Sequence, residues 1–288
     1  MSGLRNKFSA VCLLAASGLF SAAADQRPSV PRPADGASLR ILFVGNSYFF
    51  ENNLPAMFAA LAQAGGHSVE TAMVAAGGWT LAKHAASKDT LDRLAGSRWD
   101  YVILQEQSQI ASVERVRQAV MYPVVRLLVD YIRFNKATPV LFLTWAHRDG
   151  WRKFGLQDAD AMQTELDRGY LTIAREVGVA VIPAGPAWTV ARQQRPPIAL
   201  WQFDGSHPNP SGTYLSACVL YATLFIQSPQ GLPAPRAVPP AAVPKLQAIA
   251  ATVVLSHLEQ WNRSRLRSPP TASLPEAAAE GARRPSGR

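Results

Sequence analysis

The sequence predicts an α/β domain: a parallel sheet of about five strands with helices on both faces, a three-layer α/β/α sandwich. Two observations carry this. Short apolar runs alternate with longer segments of helical period through residues 39–261, the order in which helices cross over between neighbouring parallel strands. The runs are also apolar nearly throughout, not at every second position, as strands must be when both faces of a sheet are covered.

The strand candidates are residues 39–44 (LRILFV), 68–74, 101–105, 139–144 and 180–183. Helical period runs through 54–64, 80–95, 113–135 and 158–177 between them, and through 212–226 and 241–261 after them. Residues 229–244 (PQGLPAPRAVPPAAVP) are proline-rich and read as a linker or wrapping loop. The stretch 25–38 (DQRPSVPRPADGAS) reads as a linker, which places one domain at 39–261. Residues 262–288, rich in Pro, Ala, Arg and Ser, read as a disordered basic tail.

Residues 1–24 have the pattern of a secretory signal peptide: Arg5 and Lys7, an uncharged apolar stretch from Phe8 to Phe20, then Ala22-Ala23-Ala24 before Asp25. The expected location is periplasmic or secreted, with the membrane touched only through an uncleaved signal. Cys12 would leave with that segment, and Cys218 lies alone in an apolar helical pattern, where it packs as a small hydrophobe.

The net charge of +9 over 288 residues suggests nucleic acid until it is mapped. Residues 1–24 hold +2 and residues 262–288 hold +4, so 25–261, with 21 basic and 18 acidic residues, carry only +3. A nucleic-acid-binding surface needs its basic residues on the fold, and here they are at the ends. No His, Asp or Glu spacing suggests a metal site. The reading calls for no cofactor, no nucleic acid and a monomer.

In an open parallel sheet, ligands bind beyond the carboxyl ends of the strands, and polar residues gather there. Gly45-Asn46-Ser47 follows the first strand, Gly77-Gly78 the second, Gln105-Glu106-Gln107 the third, and Trp145-Ala146-His147-Arg148 the fourth. FDGSHPNPSG, residues 203–212, precedes a helix. Pro208 pushes His207 into extended backbone, and Asp204 lies three residues back. A carboxylate on one ring nitrogen leaves the other free to act as a base, and a serine hydroxyl needs such a base to become a nucleophile. Two simpler readings stand beside this: Gly-Asn-Ser as an ordinary turn, and Asp-Gly-Ser-His-Pro as a stiff turn carrying a surface histidine.

Ordered as strand–GNS, strand–GG, strand–QEQ and DxxHP before a helix, these blocks resemble the SGNH, or GDSL-like, hydrolase superfamily over about residues 39–226. The resemblance implies a flavodoxin-like strand order and a serine esterase using Ser47, His207 and Asp204. The Ser47 and Gly78 N–H groups and the Gln107 amide would serve as oxyanion donors. Asn46 stands where the family usually has Asp, and Gln107 where it has Asn. The implied substrate is a small-molecule or carbohydrate ester, such as an O-acetyl group. A non-catalytic polysaccharide-binding protein and an acyltransferase with the same triad are the alternatives.

Trp145, His147 and Arg148 are candidates to line a substrate groove, or else form a packed loop. His84, in the 80–95 helix, is expected to face solvent. Glu106 is expected to be structural or paired with an Arg, and Gln105 to point to the opposite side of the strand end from Gln107.

Overall fold

Strands β1 (Leu39–Gly45), β2 (Val69–Ala75), β3 (Tyr101–Leu104), β4 (Thr138–Phe142) and β5 (Ala180–Ile182) pair in parallel throughout, in the order β2-β1-β3-β4-β5. The structure, a computed structural model, describes residues 38–194 and 197–266. The expected signal peptide, nearly all of the linker and the tail from residue 267 lie outside the described residues. The strand order is that of a flavodoxin-like doubly wound sheet. In β1, Ile41, Leu42, Phe43 and Val44 are all fully buried, so both faces of the sheet are covered.

The chain moves one way from β1 to β2 and the other way from β2 through β3 and β4 to β5. Right-handed crossovers therefore put the first connection on one face and the later ones on the other. Helix α1 (Ser47–Phe50) and α2 (Leu54–Ala64) follow β1, with Asn52 and Asn53 in left-handed conformations between them. Next come α3 (Leu81–Ala85), α4 (Lys88–Ala95), α5 (Ser108–Ser112), α6 (Glu114–Val116), α7 (Tyr122–Phe134) and α8 (Ala159–Val177). After β5, α9 (Ala184–Arg192), α10 (Pro210–Phe225) and α11 (Val243–Leu255) return to the α2 side. Every residue of α10 from Ser211 to Phe225 is buried, which explains its apolar character all round. Burial pushes the Cys218 thiol up to about 12, so it packs and does not react.

Several elements differ from the sequence reading. The 80–95 helix divides because the Ser87 side chain takes the Thr90 N–H and caps a second helix. The 113–135 helix passes through a π-helical stretch, Arg117–Met121, just before Pro123, which has no N–H to give the preceding turn. The short α5 and α9 were not expected. The packed chain also runs past 261, in contrast to the expected start of a disordered tail at 262. Arg263 donates to the carbonyls of Thr223 and Leu224 at the end of α10, and Leu266 is buried. No described helix is long and apolar enough to cross a membrane.

Candidate active site

The strand ends come level at one rim, because Gly45 is in register with Ala75, Val44 with Leu104, and Leu104 with Leu141. The turn carrying Ser47 is built there from buried polar side chains. Gln105 Oε1 accepts from the Asn46 N–H at 2.9 Å. His84 Nε2 lies 2.7 Å from the Gly45 carbonyl, which can only accept, so this nitrogen carries the proton. The other ring nitrogen then accepts from the Thr90 hydroxyl at 3.0 Å. A Cβ on residue 45 would come within 2.5 Å of Gln105 Oε1 and 2.9 Å of the Phe49 ring, so glycine is required by close approach. Asn46 caps α1 by accepting from the Tyr48 N–H, and its NH₂ donates to the Trp79 carbonyl at 3.1 Å. That second bond ties the Gly77-Gly78 loop to the serine turn. A carboxylate at position 46 has no proton to make it, a reason for Asn here in place of the usual Asp.

His207 arrives from the other end of the chain on a hairpin. Trp201 and Pro208 form an antiparallel bridge, the Gln202 N–H donates to the His207 carbonyl, and Gly205 closes the tip at φ +71°. Asp204 Oδ1 accepts from the N–H groups of Ser206 and His207. Its Oδ2 lies 2.5 Å from His207 Nδ1, and His207 Nε2 lies 2.9 Å from Ser47 Oγ. Partial burial pushes the Asp204 carboxyl up, but these hydrogen bonds outweigh it and hold it below the ordinary aspartate value. The hairpin is held against the serine turn by Asn52, which donates to the Pro208 carbonyl, and by the Trp145 indole N–H on the Ser206 carbonyl.

The structure thus brings Ser47, His207 and Asp204 into one hydrogen-bonded line. Ser47, Gly78, Gln107, His147 and His207 line a common cleft of about 240 Å³. Gly78 is left-handed at φ +66°, with open space where a Cβ would stand. Gln107 borders the cleft and also caps α5: its Oε1 accepts from the N–H groups of Gln109 and Ile110, and its NH₂ donates to Gln109 Oε1. A larger groove of about 430 Å³, between α2 and residues 233–235, has no titratable group among the described residues of its walls.

Three expectations need correction. Trp145 does not line the cleft: it is buried, stacked between the Tyr48 and Trp188 rings at 4.5 and 4.1 Å, because its flat faces find aromatic partners in the core. Arg148 is not among the lining residues either; its guanidinium lies on Gly205 and pairs with Asp149, a contact that supports the hairpin. His84 is fully buried and not at the surface. Glu106 takes the structural of its two expected roles: it is buried, and its Oε1 accepts from the Leu81 and Gln107 N–H groups. Gln105 does point away from the cleft, but into the base of the serine turn. The sequence reading did not single out Tyr48, Ser108 or Ser206, which also line the cleft. Each adjoins a residue it did single out, and that adjacency was the available signal.

His84 yields a prediction about stability. Burial holds its ring below the ordinary histidine value, with the Gly45 hydrogen bond opposing. As pH falls through about 6.5 the unfolded chain takes this proton first. The neutral ring's contribution is therefore complete above that pH and is lost as pH falls through the folded value. Glu106 acts in the opposite sense. Burial pushes its carboxyl from 4.5 to about 7, so its contribution is present at low pH and lost as pH rises through about 7. A difference measurement separates them. The Tm gap between wild type and His84→Gln should be several degrees at pH 8, from about 1–3 kcal/mol at roughly 2–4 °C per kcal/mol. Thermal melts should show that gap narrowing as pH is lowered to 5.

The sheet order and its flanking layers are those of the SGNH/GDSL-like hydrolases, and this chain has that fold. A candidate SGNH hydrolase from Slackia heliotrinireducens is 28% identical with a TM-score of 0.53, over 64% of this chain and 97% of that one. A DUF4886 family protein from Bacteroides uniformis superposes with a TM-score of 0.67 at 22% identity, over 76% of this chain and 95% of that one. The acetylxylan esterase Axe2 from Geobacillus stearothermophilus aligns at 16% identity and a TM-score of 0.50, over 64% and 93%. No family model and no curated protein matches the chain by sequence.

Proposed function

We propose that the protein is a serine esterase acting outside the cytoplasm on short-acyl esters of hydroxylated alcohols, carbohydrates among them. The observation that carries this reading is the line from Ser47 Oγ through the His207 ring to Asp204, at 2.9 and 2.5 Å. In the proposed reaction His207 Nε2 takes the Ser47 proton as Oγ attacks the acyl carbon. Asp204 orients the ring and stabilises the imidazolium. The N–H groups of Ser47 and Gly78 and the Gln107 NH₂ hold the oxyanion. His207 passes its proton to the leaving alcohol, and then activates water to release the acid. The cleft favours a small acyl group, because its volume is modest and no aliphatic side chain among the described residues lines it. A screen of short-chain aryl esters and acetylated glycans tests the reading. Activity that survives in Ser47→Ala, or no activity on any of them, would overturn it.

The oxyanion assignment carries its own prediction. Gln107→Ala should lower kcat by at least about tenfold with KM little changed, since loss of one such donor typically costs about 10²–10³. It should also cost about 1 kcal/mol in stability from the lost cap. Gln105→Ala is no silent control: it leaves the buried Asn46 N–H unpaired, at about 1–3 kcal/mol, and should lower both Tm and kcat. Steady-state kinetics with a thermal melt on each variant separates the two. If Gln107→Ala keeps full kcat, the third donor lies elsewhere.

A further inference from the structure

Tyr48, Ser108, Ser206 and His147 close a ring of polar contacts in the wall of the cleft. The Tyr48 hydroxyl lies 2.8 Å from Ser206 Oγ and 3.3 Å from Ser108 Oγ. His147 Nε2 lies 3.0 Å from Ser108 Oγ and 3.2 Å from Ser206 Oγ. Three of the four adjoin a residue assigned to the reaction: Tyr48 follows Ser47, Ser108 follows Gln107, and Ser206 precedes His207. The fourth, His147, comes from the loop after β4. The ring is thus set by the same three turns that place the proposed chemistry.

It leaves hydrogen-bonding capacity unused. A neutral imidazole nitrogen either donates one hydrogen bond or accepts one, so Nε2 serves only one of the two serine hydroxyls it faces. Each hydroxyl has one donor and two acceptor sites, more than two ring contacts can use. Burial and the neighbouring His207 lower the His147 ring from the ordinary histidine value, against the pull of Asp204, and so favour its neutral form. Among the described residues, no Asp, Glu, Lys or Arg lines the cleft. An uncharged ligand group that both donates and accepts fits this wall, and a hydroxyl is the simplest such group. Ser206 adjoins His207, the group that returns a proton to the leaving alcohol, so the ring sits on the alcohol side of the ester.

We infer that the Tyr48–Ser108–His147–Ser206 ring is a hydroxyl-reading subsite, which selects esters whose leaving alcohol carries a second hydroxyl close to the esterified one, as in a diol monoester or a partly acylated sugar. The inference rests on the esterase reading of the same cleft. Discrimination by hydrogen bonding suits such a site better than an apolar pocket would, because a ring group left unpaired in a bound complex disfavours the analogue lacking the hydroxyl.

The test uses two acetates that differ by one hydroxyl, ethylene glycol monoacetate and ethyl acetate. The wild type should show a kcat/KM ratio of about tenfold or more in favour of the hydroxylated ester, the worth of roughly one hydrogen bond. Ser206→Ala and Ser108→Ala, each removing one oxygen, should bring that ratio towards one, chiefly by lowering the value for the hydroxylated ester. A wild-type ratio near one overturns the subsite and leaves the esterase reading intact. So does a ratio unchanged in both variants, including one in which both esters fall together. Absence of Ser47-dependent hydrolysis of either ester overturns both.

Discussion

Ser47→Ala should lower kcat on a short-chain ester by roughly 10⁴-fold or more, leaving only what the oxyanion donors and binding achieve without a nucleophile. In the proposed reaction that hydroxyl bonds to the acyl carbon, and His207 Nε2, at 2.9 Å, would take its proton. The variant should fold as the wild type does, because the surrounding turn is held by backbone bonds to Gln105 and His84 and by the Asn46 side chain, none of which uses Ser47 Oγ. Intact Tm with lost turnover is the expected pair. A fluorophosphonate should label wild type at Ser47 and fail to label the variant. Mass spectrometry showing no adduct on Ser47, beside a control esterase that labels, would remove the mechanism.

Asp204→Asn is the second large effect, and it separates orientation from charge. Asn can keep an oxygen for the N–H groups of Ser206 and His207, so the hairpin retains its shape. Its NH₂ then faces His207 Nδ1, where a carboxylate oxygen stood. Two donors cannot share that contact. The ring is pushed to the tautomer with Nδ1 bare and the proton on Nε2, pointing at Ser47. That tautomer cannot serve as the base, and the comparable change in serine proteases lowers kcat about 10⁴-fold. A loss of about 10³–10⁴ in kcat is expected here, at the smaller end because Asp204 is half exposed and solvent softens the contact. An unchanged kcat would show that Asp204 shapes the hairpin without orienting the base.

Much of this was legible because it depends on order along the chain. All five strands and most long helices follow from apolar runs and periodicity, and in a doubly wound sheet the residues after each strand meet at one rim. That rule put Ser47, Gly78 and Gln107 at one rim, and the Asp-x-x-His-Pro block with the family resemblance added His207. What escaped depends on the neighbours of a side chain. Nothing local distinguishes a His84 that faces solvent from one that turns inward to reach Gly45 and Thr90. Trp145 sits after a strand, like a groove residue, but only the fold reveals Tyr48 and Trp188 on its two faces. The α3–α4 break rested on one serine acting as a cap. The Tyr48–Ser108–His147–Ser206 ring joins residues up to 158 positions apart, beyond the reach of any short motif.

The longest of the bonds that assemble the cleft, in sequence terms, joins Ser47 to His207 across 160 positions. Such a contact carries a large loop-closure cost, and parallel sheets rich in non-local pairings are slow to form. Under the proposed mechanism, an intermediate that has built the sheet but has not docked the 201–208 hairpin would hold Ser47 without its base, and could not turn over an ester. Secondary structure can therefore recover during refolding well before activity does. Under the proposed mechanism, turnover would report the completed fold more strictly than helix content, and a polypeptide still being made would have no hydrolytic activity to release.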